Sequence, residues 1–217
     1  MTSIVCVVSG GMDSVTLLHL AKQQFDKVQA LTVDYGQKHA REIEAAHWQV
    51  RELGIPWTLV DLTPLSALIS RSALTGEQSV PDGRYDDKVQ ALTVVPNRNM
   101  ILASVAIAKA VNDEYDWIGM GLHSGDHAIY PDCRPQFVEA LIQIADIANY
   151  HPVGIWTPFL HRDKGEIVNI GTELGVNYAH TWTCYKGRGK ACGKCGSCTE
   201  RLEAFENNGL IDPVEYE

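Results

Sequence analysis

The feature that most constrains this chain is a strand that runs straight into a glycine-bearing turn and then a helix. Ile4-Val5-Cys6-Val7-Val8 reads as a buried parallel strand, and Val15-Thr16-Leu17-Leu18-His19-Leu20 continues a helix. Between them lies Ser9-Gly10-Gly11-Met12-Asp13-Ser14. Two glycines let the backbone turn sharply and bring its N–H groups close to an anion, and the helix N-terminus adds positive partial charge. Ser9 and Ser14 add hydroxyl donors, so the turn suits a pyrophosphate. Asp13 would repel a phosphate unless it holds a bridging Mg²⁺ or caps the helix. The alternative is a plain strand-to-helix turn with no ligand. No G-x-x-x-x-G-K-[S/T] and no G-x-G-x-x-G after a strand occurs in the chain.

A second signal lies near the other end. Cys184, Cys192, Cys195 and Cys198 follow the spacing C-x7-C-x2-C-x2-C, among Gly187, Gly189, Gly193 and Gly196. Four thiolates at such gaps match the tetrahedral shell of Zn²⁺, and a closed set of four ligands makes that zinc structural. Disulfides or an iron–sulfur cluster are the alternatives. Two isolated cysteines, Cys6 and Cys133, and the lack of a secretory signal speak against disulfides and for the cytoplasm.

The chain carries 27 acidic against 18 basic residues, a net charge of −9, which disfavours direct nucleic-acid binding. Lys186, Arg188, Lys190, Lys194 and Arg201 gather around the cysteines, where they are expected to offset the charge of a metal–thiolate core. No apolar run reaches membrane-spanning length.

Strands are expected at Val28–Asp34, Trp57–Val60, Trp117–Gly121 and Ile155–Thr157 as well as the first. Helices are expected from about Lys38 to Leu53, Asn99 to Val111, Pro135 to Tyr150 and Lys164 to Leu174. The alternation predicts an α/β fold with a parallel five-stranded sheet covered by helices on both faces. Residues 1–180 would form this α/β domain, and 181–217 a small zinc-binding loop with a C-terminal helix. Ligands should sit at the carboxyl ends of the strands, near Ser9, Asp34 and Gly121. Thr63 to Pro96 is irregular, apart from a short helix around Leu65 to Ser70, and its length suggests a cover for the site.

The S-G-G-x-D-S pattern resembles the PP-loop of ATP pyrophosphatases, which cleave ATP between its α and β phosphates. Further segments match in order: Tyr35-Gly36-Gln37-Lys38-His39, Val95-Pro96-Asn97-Arg98-Asn99, Tyr130-Pro131-Asp132-Cys133-Arg134 and Thr183-Cys184-Tyr185 with the later cysteines. Together they resemble QueC, the 7-cyano-7-deazaguanine synthase family, over nearly the whole chain. The resemblance implies an adenine-nucleotide α-hydrolase-like fold, a homodimer, one zinc per subunit, and ATP with Mg²⁺. It also implies a reaction in which 7-carboxy-7-deazaguanine is adenylated and converted with ammonia to the nitrile.

On this resemblance the nucleotide is held by Val8, Ser9, Gly10, Gly11, Met12, Asp13, Ser14, Val15, Thr16, Leu17 and Leu18. Asp13, Arg98 and Lys164 are the candidate catalytic residues, with the two cations facing the α-phosphate or the developing charge. Tyr35, Gln37, His39, Arg98, Asp126, Tyr130, Asp132 and Arg134 are candidate substrate contacts, although Asp132 and Arg134 could instead pair with each other. Cys133 is expected to be neutral and packed beneath the site, since adenylation needs no thiol. The chain departs from the family in two places. Ser124 and His127 stand where the family has a glutamate and an aromatic residue, and Asn97 replaces a glycine. His123 and His127 flank Asp126. The altered segment motivates a second reading, in which the activated acid is conjugated to an amine of a partner protein, as QueC-like members of antiviral operons would do.

Overall fold

The computed structural model describes residues 1–83, 91–123, 130–186 and 189–217. Five parallel strands form one sheet in the order β3-β2-β1-β4-β5. They are β1 (Ser3–Val7), β2 (Lys27–Asp34), β3 (Trp57–Asp61), β4 (Trp117–Gly119) and β5 (Gly154–Trp156). Register is set on both sides of the central strand, with Cys6 opposite Ala30 of β2 and Gly119 of β4. The order reverses at β1, so the crevice at the switch point opens above its carboxyl end, where Ser9 begins the turn.

Side chains alternate across β1 and define the two faces. Ile4, Cys6 and Val8 pack with Leu17, Leu18, Ala46, Val50 and Ile167, which belong to helices α1 (Met12–Gln24), α2 (Arg41–Leu53) and α5 (Lys164–Glu173). Val5 and Val7 face α3 (Arg98–Asn112) and α4 (Pro135–Ile147) through Ala103, Ala106, Val138 and Leu141. All five strands and the expected helices are present, with ends shifted by one to three residues. The largest shifts are at α2, which begins at Arg41 rather than Lys38 because Lys38 to Ala40 form a turn, and at α4, which ends at Ile147 rather than Tyr150.

The segment after Thr63 is not a detached cover. It opens with a 3₁₀ turn, Thr63–Leu68, and then buries Ile69, Ala73, Leu74 and Val80 in the main core. Lys38 donates its backbone N–H to the Leu74 carbonyl at 3.0 Å, fixing the segment against the start of α2.

A last helix, α6 (Gly196–Asn207), lays Ala204 and Phe205 against Met12, Val15 and Val168. Arg201 corrects the expectation from composition. Its guanidinium is fully buried and holds Asp212 through two bonds of 2.7 and 2.9 Å, with the Tyr178 carbonyl at 3.0 Å. The residue therefore ties the C-terminal strap to the core and does not screen the cysteines. Beyond it, Tyr216 forms an isolated parallel bridge with Ala191. Among the described residues no helix is long and apolar enough to cross a membrane.

Candidate active site

The turn after β1 folds as its sequence requires. Gly10 has φ +98°, and a Cβ there would lie 1.9 Å from the Glu42 carbonyl oxygen, so only glycine fits. The N–H groups of Ser9 and Gly10 both point to the Ser14 hydroxyl, at 3.2 and 3.3 Å, and the Gly11 N–H donates to Ser9 Oγ at 3.2 Å. Serine hydroxyls thus hold the loop donors in the convergent arrangement that a pyrophosphate would use.

A cleft of about 350 Å³ opens over this turn. Val8, Ser9, Gly11, Met12, Asp13 and Ser14 line it. Gly10 lies just behind, its carbonyl accepting from the Trp182 N–H at 2.9 Å. Val15, Thr16, Leu17 and Leu18 are not brought to the cleft. They lie further along α1, fully buried, with Thr16 Oγ1 2.9 Å from the Tyr178 hydroxyl.

Lys164 starts α5, whose N-terminus is closed by a capping box between Asp163 and Glu166. Its Nζ lies 2.5 Å from Glu200 Oε2 and 3.9 Å from Asp13 Oδ2, at the mouth of the turn. Burial alone would lower the lysine pKa, but the Glu200 and Asp13 carboxylates outweigh it and hold the ammonium charged. His123 Nε2 is 3.8 Å from Asp13 Oδ2, and burial depresses this imidazole toward its neutral form. Asp13 Oδ1 is buried without a hydrogen-bond partner. An orphaned carboxylate oxygen beside the glycine turn is a hard oxygen donor that a cation such as Mg²⁺ would complete.

The opposite wall comes from the β2–α2 turn, α3 and the loop before α4. Tyr35, His39, Glu42, Arg98, Tyr130, Cys133, Arg134 and Tyr185 line it. Arg98 opens α3, and its side chain hydrogen-bonds Tyr35 and lies 5.9 Å from the Tyr130 ring centroid. Gln37 sits behind the wall. It accepts from the Tyr35 N–H at 2.9 Å and donates to Glu42 Oε1 at 3.2 Å, positioning both. Asp132 likewise supports rather than lines the cleft, accepting from the Asn99 N–H at 3.0 Å at the first turn of α3. Cys133 accepts from Asn99 Nδ2 at 3.3 Å, and burial pushes its thiol up to about 11, which suits a neutral packed cysteine.

Two departures in the sequence read differently in three dimensions. Asn97 adopts φ +58°, a left-handed position that asparagine tolerates best among the side chains, so it replaces a glycine on backbone grounds. Ser124, Asp126 and His127 lie outside the described residues, as does Arg188.

Three lining carboxylates, Glu42, Glu200 and Glu203, together with Trp182 and Tyr185, had no role in the sequence reading. Glu42 is the most informative. It is buried, and burial raises its carboxyl to about 8 even though Arg98 and the Gln37 hydrogen bond oppose the shift. Its spacing from His39, three residues on, was the one signal available. The two meet at 3.4 Å, Nε2 to Oε2, with burial lowering His39 to about 4.

The four cysteines converge as expected. Their Sγ atoms all lie within 4.8 Å of one another, with Cys192 and Cys198 4.0 Å apart. All six cysteines are free of disulfides. Backbone N–H groups of Lys186 and Cys192 point at Cys184 Sγ, each at 3.3 Å, and that of Cys195 at Cys192 Sγ at 3.3 Å. Such donors would offset the charge of metal-bound thiolates. The neighbouring cations mostly turn elsewhere, Lys186 to Asp82 at 2.5 Å and Lys190 to Glu215 at 3.3 Å. The cluster adjoins the cleft, because Thr183, Tyr185 and Ser197 line one and flank the other.

Similarity to known proteins agrees with this geometry. A 7-cyano-7-deazaguanine synthase from Marinomonas sp. (strain MWYL1) is 55% identical over 213 residues, covering 98% of this chain and 97% of that protein. One from Marinobacter nauticus is 53% identical over 215 residues, covering 99% and 97%. Among solved structures, the U34-tRNA thiolase NcsA from Methanococcus maripaludis superposes with a TM-score of 0.54 at 16% identity, over 95% of this chain and 66% of that one. An NMN synthetase from Francisella tularensis does so with a TM-score of 0.50 at 12% identity, over 96% and 77%. These two likenesses bear on the fold alone. The family model described as "Queuosine biosynthesis protein QueC" matches residues 3–209, spanning the glycine turn, the cleft walls and the cysteine cluster, and the chain belongs to that family.

Proposed function

We propose that this protein is an ATP-dependent carbon–nitrogen ligase that converts 7-carboxy-7-deazaguanine and ammonia to 7-cyano-7-deazaguanine. The observation that carries the reading is the placement of the Ser9–Ser14 turn, Lys164 and Arg98 around one cleft, in a chain about half identical to synthases over nearly its whole length.

A carboxylate is a poor electrophile. Its oxygen attacks the α-phosphorus of ATP, the α–β bond breaks, and pyrophosphate leaves. Ammonia then adds to the acyl carbon, and the C–O bond breaks to release AMP and the amide. A second ATP adenylates the amide oxygen, and loss of AMP and two N–H protons gives the nitrile. In this scheme Ser9, Gly10, Gly11 and Ser14 cradle the pyrophosphate through N–H and hydroxyl donors, and Lys164 neutralises phosphate charge at its edge. Asp13 would hold Mg²⁺, which when bound screens the phosphate oxygens. Tyr35, His39, Tyr130, Arg98 and Arg134 form the substrate wall.

Cys184, Cys192, Cys195 and Cys198 would hold one structural Zn²⁺. Tetrahedral zinc–sulfur bonds of about 2.3 Å set sulfurs roughly 3.8 Å apart, close to the 4.0 Å between Cys192 and Cys198. A cytoplasmic setting and a homodimer complete the proposal. No observation favours conjugation to a partner protein.

The test is mass spectrometry of reactions containing protein, Mg²⁺-ATP and the acid, with and without ammonium. An ammonium-dependent nitrile with AMP is the expected result. Absence of AMP overturns the proposed substrate.

A further inference from the structure

The inner wall of the cleft holds one partly buried cation, Arg98, and one buried carboxyl, Glu42, that form no direct ion pair. Among the described residues the polar partners of the Glu42 carboxyl are Gln37 Nε2 at 3.2 Å and His39 Nε2 at 3.4 Å, and Arg98 acts on it only from a distance. A carboxylate offers about four lone-pair directions, so two partners leave the Glu42 carboxyl, on the cleft wall, able to accept from a ligand. Burial raises its pKa. The guanidinium of Arg98 meanwhile rests on tyrosines, Tyr35 by a hydrogen bond and Tyr130 by its ring, with Asp132 acting on it only from a distance. Tyr35, Tyr130 and Tyr185 give the same wall flat aromatic sides.

A ligand that satisfies both groups is planar, with an anion at one end and adjacent N–H donors at the other. We propose that Glu42 is a specificity-determining residue that accepts the ring N–H and exocyclic amine of the heteroaromatic acid, while Arg98 receives its carboxylate. This assignment rests on the reading given under Proposed function and deepens it. It supplies a carboxylate for the guanine-like edge from α2, at a distance in sequence from Ser124, where the family glutamate is missing. A buried acceptor left without its donor is costly, so an analogue lacking the amine is rejected more strongly than lost contact area would explain.

The test compares 7-carboxy-7-deazaguanine with its analogue lacking the 2-amino group, in wild-type protein and Glu42→Gln, following AMP release. The wild type is expected to prefer the amino compound by at least about 100-fold in kcat/KM. Glu42→Gln, nearly isosteric, is expected to reduce that preference to within about 10-fold, with KM for ATP unchanged. The analogue comparison in the wild type needs no variant to fold. Undiminished discrimination in Glu42→Gln overturns the role of Glu42. A change in KM for ATP with discrimination intact would mean that the carboxyl reads the adenine amine instead, and also overturns it. Failure of the wild type to form AMP from either acid overturns the substrate assignment itself, and this proposal with it.

Discussion

Gly10 and Glu42 share one piece of space: the point where a Cβ on Gly10 would lie is 1.9 Å from the Glu42 carbonyl oxygen. The glycine turn is therefore packed directly on the first turn of α2, the same turn that brings Glu42 to the cleft.

Gly10→Ala accordingly strikes two things at once. It forces an L side chain into φ +98° and drives a methyl group into backbone. The Ser9 and Gly10 N–H groups lose their convergence on Ser14. A misplacement of about 1 Å in a positioning element costs on the order of 100-fold, and AMP release should fall at least that far. Gly11→Ala is the internal control. A Cβ there meets no atom nearer than 3.4 Å, so its loss should be the smaller of the two.

The turn was legible because it is local: strand, glycines, serines and helix occupy consecutive positions. The cysteine cluster was legible for the same reason, since two-residue gaps bring thiols together without help from the rest of the fold. Glu42 and Glu200 were not legible. Each reaches the cleft only because α2 packs on the glycine turn and α6 packs on α5, and neither contact leaves a mark in nearby sequence. Asp132 shows the converse. It stands in a motif with a functional look, yet its carboxylate accepts from the Asn99 N–H in the first turn of α3. Asn97 reads as a lost glycine in one dimension and as a left-handed backbone position, φ +58°, in three.

The Glu42 carboxyl also makes stability depend on pH. Its folded pKa, about 8, lies above its ordinary value of 4.5. Between those values the folded state binds the proton that the unfolded state has lost, so stability contributed by the neutral carboxyl is full below about 4.5 and declines as pH rises towards 8. Thermal melts of ligand-free protein from pH 5 to 8 should show this decline superimposed on other titrations. Glu42→Gln, which has no proton to lose, should flatten the curve. Parallel wild-type and variant curves would contradict the burial of the carboxyl in the cleft wall.

Metal at the cysteines should be required for the fold rather than for chemistry alone. The four Sγ atoms are buried at the junction of the main core and α6, and Cys198 lies two residues before Glu200, the partner of Lys164. Cys195→Ser should therefore lose one equivalent of bound zinc by elemental analysis and more than about 4 kcal/mol of stability, the scale of structural metal loss. Retention of full stability in a metal-free variant would make the cluster a set of ordinary buried thiols.

Transfer of AMP to a carboxylate oxygen is the chemistry proposed for the cleft. It is tested most directly with 7-carboxy-7-deazaguanine labelled with ¹⁸O in both carboxyl oxygens, incubated with protein, Mg²⁺-ATP and ammonium. When ammonia displaces AMP, the acyl C–O bond breaks, so the oxygen leaves with the phosphate. AMP carrying one ¹⁸O per molecule is expected from both the first and the second activation. Unlabelled AMP, or ADP and phosphate in its place, would contradict adenylation of the acid.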